Sequence, residues 1–128
     1  SVWQTNGAGQ FVQGQQVDRK VWVTAGTALS TSTQQSLPTG LSVASLVPAN
    51  GKTAGGIITI ASNSATTLTS TIGGGSSLFG QQNCQGQTVL SLSTNFEVPI
   101  FSNQQIFYTA TALAGTMTFA VYITSYTF

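Results

Sequence analysis

The chain has 128 residues, 41% of them hydrophobic, and only five formally charged side chains: Asp18, Arg19, Lys20, Lys52 and Glu97. With no histidine, a net charge of +1 and one cysteine, it lacks the groups that general acid–base catalysis uses near neutral pH, the Lys/Arg set that nucleic-acid phosphates require, and any intrachain disulfide. The length fits one domain with its own core, and disorder by composition pairs low hydrophobicity with high charge, neither of which holds here.

Residues 1–17 are rich in Gln and Gly, with isolated Trp3, Phe11, Val12 and Val17. They read as a linker or shaft remnant, or as a first strand, with one or two strands placed in 2–13. The start, Ser1-Val2-Trp3-Gln4, has no signal-peptide pattern and no methionine, as in a fragment or a processed chain. Residues 18–128 read as one domain. Asp18-Arg19-Lys20 reads as a solvated turn before a strand, with a small anion site as the lesser alternative. Thereafter β-branched residues dominate, strong helix formers are scarce, and the apolar period is two. Strands are expected near 20–25, 41–46, 56–62, 66–72, 87–94, 96–101, 105–112 and 116–127. In the last, Met117, Phe119, Val121 and Ile123 share one face, and Thr116, Thr118, Tyr122 and Thr124 the other. Turn signals fall at 37–40, 48–51, 73–76, 80–86 and 102–103. Eight to ten short strands with Gly/Pro turns predict an all-β antiparallel jelly-roll sandwich without substantial helix. No stretch approaches the ~20 apolar residues of a membrane span, so no membrane insertion is expected.

Candidate chemistry is sparse. Gly51-Lys52-Thr53 carries the end of a phosphate-loop pattern, but the required first glycine falls on Leu46 and a strand follows. Gly73-Gly74-Gly75-Ser76-Ser77 has no helix behind it to complete a phosphate site. Neither a metal-ligand cluster nor an activated nucleophile is visible, so no catalytic residue, metal or other cofactor is assigned. A glycosidase pair would need Asp18 and Glu97 brought together, with nothing else in the motif. Cys84 lies in a Gln/Asn-rich stretch read as a polar loop, without a cationic neighbour to lower its pKa; a free thiol favours assembly in a cytosol. Phe79 beside Gln81, Gln82, Asn83 and Gln85 has the make-up of an aromatic platform flanked by amides, which can hold a sugar ring. One anchoring ring in a polar loop is the plainer reading. Trp22, Phe107, Tyr108, Phe119 and Tyr122 lie in strands, where core or interface packing accounts for them.

Several segments together carry a family pattern: LSVASLVPANGK at 41–52, an Ile-rich strand, NFEVP at 95–99, SNQQIFY at 102–108 and GTMTFAVYITSY at 115–126. Residues 20–128 resemble the terminal β-domain of tailed-bacteriophage appendages: tail fibres, tail-needle knobs and head-fibre tips. Ser125 departs from the pattern, where glycine often stands, as does the near absence of charge. The resemblance implies a jelly roll like the heads of tumour necrosis factor and complement, a homotrimer, and host attachment from a virion rather than catalysis. A receptor would be a bacterial cell-surface glycan or protein, met through uncharged polar and aromatic groups around 73–87. Tyr108, Tyr122 and Tyr126 are the expected trimer contacts. Two other classes stay open: a pilin-like filament subunit that exchanges a strand through residues 1–17, and a free-standing lectin.

Overall fold

Among the described residues the alternation of β-branched and polar residues is realised as seven strands: β1 (Gly14–Val17), β2 (Lys20–Thr31), β3 (Gln35–Ser42), β4 (Thr53–Gly74), β5 (Phe79–Pro99), β6 (Gln105–Ala112) and β7 (Met117–Thr127). The computed structural model describes residues 14–17 as backbone, together with 19–101 and 104–128, and among these the chain is all-β with no helix. The strands expected in 2–13, along with Asp18, lie outside the described residues, whereas Gly14–Val17 is a strand paired with β2.

Every pairing is antiparallel. The strand order is β1-β2-β7-β4-β6-β3, with β5 on the other edge of β4. β4 belongs to two halves of one curled sheet. Residues 53–62 pair with β7, residues 68–73 with β6, and β5 follows β4 along its opposite edge. The register shifts between Ala61 and Thr66, where the direction changes. Side chains replace the lost ladder there: the Ser62 hydroxyl donates to the Ala114 carbonyl at 2.8 Å, and the Thr116 N–H donates to the Asn63 side-chain oxygen at 2.8 Å.

The strand count of eight to ten is therefore not what the described residues show. The stretches expected at 56–62 and 66–72 are one 22-residue strand, and those at 87–94 and 96–101 are one 21-residue strand that also takes in the expected loop 80–86. Asn63-Ser64-Ala65 contains neither Gly nor Pro, so the chain bends there without reversing. The expected strand 41–46 shifts to 35–42. Val43 accepts backbone bonds from Leu46 and Val47, which turns the chain and drives Val43 and Val47 into the end of the core. Pro38 sits inside β3 rather than in a turn. β3 is an edge strand with a register shift between Gln35 and Thr39, which is where a strand tolerates a missing N–H.

Both halves feed one core. Val98, Ile58, Val121, Ile123 and Phe119 line one half, side by side on β5, β4 and β7, and Leu68, Ile72, Ile106 and Ala110 line the other. The Tyr108 ring of β6 stacks on the Phe119 ring of β7, with centroids 5.1 Å apart and planes at 18°. Full burial of each such side chain contributes roughly 1.5–3 kcal/mol. Tyr126 is also inside. A bulge at Thr124 pairs Gly55 with Ser125 but Gly56 with Ile123, and the slip turns Tyr126 into the core while Ser125 is also buried.

Candidate functional site

Period two already sends Trp22 outward. Its neighbour Val21 is buried while Trp22 is 47% exposed. On the same face of β2, two residues away, stands Lys20. Across the sheet the register runs Trp22 to Ser125 to Gly55 to Glu97, through β2, β7, β4 and β5. β2 and β5 are thus three strand spacings apart, about 14 Å on a flat sheet. Lys20 Nζ nevertheless lies 3.1 Å from Glu97 Oε2. The two long side chains meet over β7 and β4 because the row between them holds only Ser125 and a glycine. A Cβ on Gly55 would stand 2.7 Å from Ser125 Oγ, in the space beneath the ion pair. Lys20 Nζ also sits 4.2 Å from the centroid of the Trp22 ring, a cation–π distance.

These residues enclose a groove of about 440 Å³, with Gly56 and Ile57 in its floor and Gln82, Asn95 and Thr124 on its walls. The sheet is irregular at this level in two strands, β2 between Trp22 and Gly26 and β7 at Thr124; bulges of this kind re-aim side chains around sites. Gly56 has no room for a side chain, since a Cβ there would collide with the Tyr122 carbonyl oxygen. The groove offers amide donors and acceptors, a hydroxyl, an aromatic ring and an ion pair whose charges cancel. Among the described residues no group of three or more His, Cys, Asp and Glu side chains is assembled.

The residues expected to form an aromatic–amide platform separate. Phe79, Gln81, Gln82, Asn83 and Gln85 belong to β5, not to a loop. They fall there because Gly75 (φ 71°) and Leu78 (φ 54°) close a tight reversal that returns the chain along β4. Gln82 joins the groove. Phe79 instead meets Phe101 edge-to-face, with centroids 5.6 Å apart, and both rings are exposed. Gln81, Asn83 and Gln85 alternate away from Cys84, which is buried opposite Ser70 rather than exposed in a loop. Burial raises the Cys84 thiol pKa. Of the tyrosines expected at a trimer contact, Tyr108 (5% exposed) and Tyr126 (1%) pack inside their own chain, so their rings serve the core; Tyr122 is half-buried.

Nothing in the sequence brings Trp22, Lys20, Asn95 and Glu97 together as one site. The readable signals were the outward phase of Trp22 and the presence of two of the chain's five charges, Lys20 and Glu97, in strand positions. No known family model matches this chain, and no curated protein matches it closely enough to count as a relative.

Proposed function

We propose that this is a non-enzymatic, homotrimeric tip domain of a bacteriophage appendage, carried on the virion, that attaches to a glycan or protein of the host surface. The groove lined by Trp22, Gln82, Asn95 and the Lys20–Glu97 pair carries the reading: an aromatic ring, two amides and a self-neutralised ion pair form a binding surface on a chain that otherwise wets itself with Ser, Thr and Gln. Glu97, the one carboxylate side chain among the described residues, is engaged by Lys20, which suits recognition better than proton transfer. In this reading the curled sheet is a jelly roll. It supports this by folding two halves over one core, joined at the Tyr108–Phe119 stack. Exposed Phe79 and Phe101, with Gln81, Asn83 and Gln85 along β5, extend the attachment surface.

The trimer contact falls to Tyr122 and to exposed leucines. Leu90 and Leu113 lie on opposite sides of the β4 bend, beside Thr66 and Thr67. Light scattering at micromolar concentration should give three times the chain mass, and labelled protein should adhere to intact cells of some strain in a bacterial panel. A monomer, or adherence to none, rejects the reading. One observation favours a second reading, a filament subunit that exchanges strands: among the described residues the 21-residue β5 pairs only with β4, which leaves its outer edge as an acceptor for an added strand. Open-ended polymers in the same measurement would select it.

A further inference from the structure

We infer that the groove lined by Trp22, Gln82, Asn95 and Glu97 binds an uncharged saccharide, in preference to an anionic or cationic one. This deepens the attachment reading and rests on it for the source of the sugar, a surface glycan. The volume, about 440 Å³, lies within the usual range of small-molecule sites, roughly 300–1,000 Å³.

Charge decides the class of ligand. Lys20 and Glu97 face each other at 3.1 Å with side chains 29% and 51% exposed, so the groove is neutral and its ions are already paired. An acidic sugar would have to take Lys20 from Glu97 and then lie against a bare carboxylate. A cationic ligand would have to take Glu97 from Lys20, and it would find the Trp22 ring already facing an ammonium. Both cost a broken charge pair, and a like charge at close range disfavours binding. A neutral polyol requires neither. Its hydroxyls can donate to the free lone pairs of Glu97 and to the oxygens of Gln82 and Asn95. They can also accept from the amide N–H groups and from the remaining Lys20 protons. Its C–H face can lie on the exposed part of Trp22, an amphipathic surface of the kind that favours such contacts. A side chain at Gly55 would crowd Ser125 Oγ, so the glycine leaves room for the Lys20–Glu97 pair that closes the groove.

The full chain carrying Trp3→Phe leaves Trp22 as its sole tryptophan, so its fluorescence reports on the groove. Lactose and N,N′-diacetylchitobiose are the neutral probes and glucuronic acid the anionic one, each titrated by fluorescence and by saturation-transfer NMR. The expected result is binding of at least one neutral probe, with glucuronic acid about tenfold weaker or more, a difference of about 1.4 kcal/mol. Asn95→Ala, an exposed position, should weaken the neutral probe about tenfold. Glu97→Gln should free Lys20 and raise glucuronic acid to at least the level of the neutral probe, a reversal that a purely structural ion pair would not produce. Failure of both neutral probes, stronger binding of glucuronic acid by the unaltered groove, or an unchanged affinity in Asn95→Ala overturns the inference. Light scattering and cell adherence on the same samples keep the two readings apart. Trimers that adhere equally well with Asn95→Ala defeat the groove alone, and a monomer that binds lactose defeats the tip-domain reading alone.

Discussion

Phe119→Ala removes the one ring of β7 that stacks across to β6. The side chain is fully buried and lies 5.1 Å, centroid to centroid, from Tyr108. Phe-to-Ala changes at such sites cost about 3–5 kcal/mol, as lost transfer energy plus the cavity left behind. A chain of this length has an unfolding entropy of about 0.27 kcal/mol/K, at roughly 2.1 cal/mol/K per residue. One kcal/mol then moves the midpoint by about 4 °C, and the variant should melt about 11–19 °C lower. Calorimetry at fixed protein concentration measures this. A double-mutant cycle of Phe119→Leu and Tyr108→Leu isolates the ring–ring component, expected at about 0.5–1.5 kcal/mol. Because β4 belongs to both halves of the sheet, the variant should still melt in one transition. A loss below about 4 °C, a coupling of zero, or two separate transitions would show that the stack does not join the halves.

Three further outcomes are expected. Ser70 Oγ is buried without a hydrogen-bond partner among the described residues, so Ser70→Ala should leave the melting point unchanged or raise it, by up to about 1 kcal/mol; a loss of more than that contradicts the assignment. Cys84 is buried, so native protein should react with a disulfide reagent roughly a hundredfold more slowly than unfolded protein, as expected when access requires an opening of about 2.7 kcal/mol, and equal rates would place the thiol at the surface. Burial raises Cys84, Tyr108 and Tyr126 above their ordinary values of 9.0, 10.0 and 10.0. Each group holds its proton more tightly folded than unfolded, so its contribution is complete below the ordinary value and is lost as the pH rises through the folded one. With no histidine to titrate, melting should be nearly flat from pH 5 to 8, respond little to salt, and fall above about pH 9. A midpoint that rises above pH 9, or moves more than about 10 °C between pH 5 and 8, would contradict this.

Where the alternation is unbroken, the sequence reads directly. Met117, Phe119, Val121 and Ile123 point inward along β7 as their alternation predicts, whereas Tyr108, expected at a trimer contact, points inward with Ile106, Ala110 and Ala112 along β6. Continuing the alternation of β7 would put Ser125 inside and Tyr126 outside. The bulge at Thr124 instead brings Tyr126 inside, while Ser125 also stays covered at 2% exposed, and no local residue announces it, because the slip is set by how β4 pairs with β7. The lengths of β4 and β5 escape notice for a related reason. Glycines and amides at 80–86 have turn chemistry, but an edge strand that pairs on one side accepts them. The groove is hidden more deeply. Trp22 is legible as an outward residue, but Lys20 and Glu97 lie 77 positions apart, and their meeting depends on the register of four strands and on the bare Cα of Gly55.

The placement of β7 between β2 and β4 has a consequence for how the chain acquires its structure. Lys20 pairs with Thr127 and Thr53 also pairs with Thr127, so two early strands wait for the latest one. While the polypeptide is being made, β2 and the first half of β4 each hold a row of unsatisfied N–H and C=O groups until β7 leaves the ribosome. Such non-local closure implies slow folding, in milliseconds to seconds, through intermediates with open edges that are prone to mispair. The scarcity of charge leaves little repulsion to hold those edges apart. Expression at low temperature, or with a holdase chaperone, should therefore raise the soluble yield far more than any change to the finished surface.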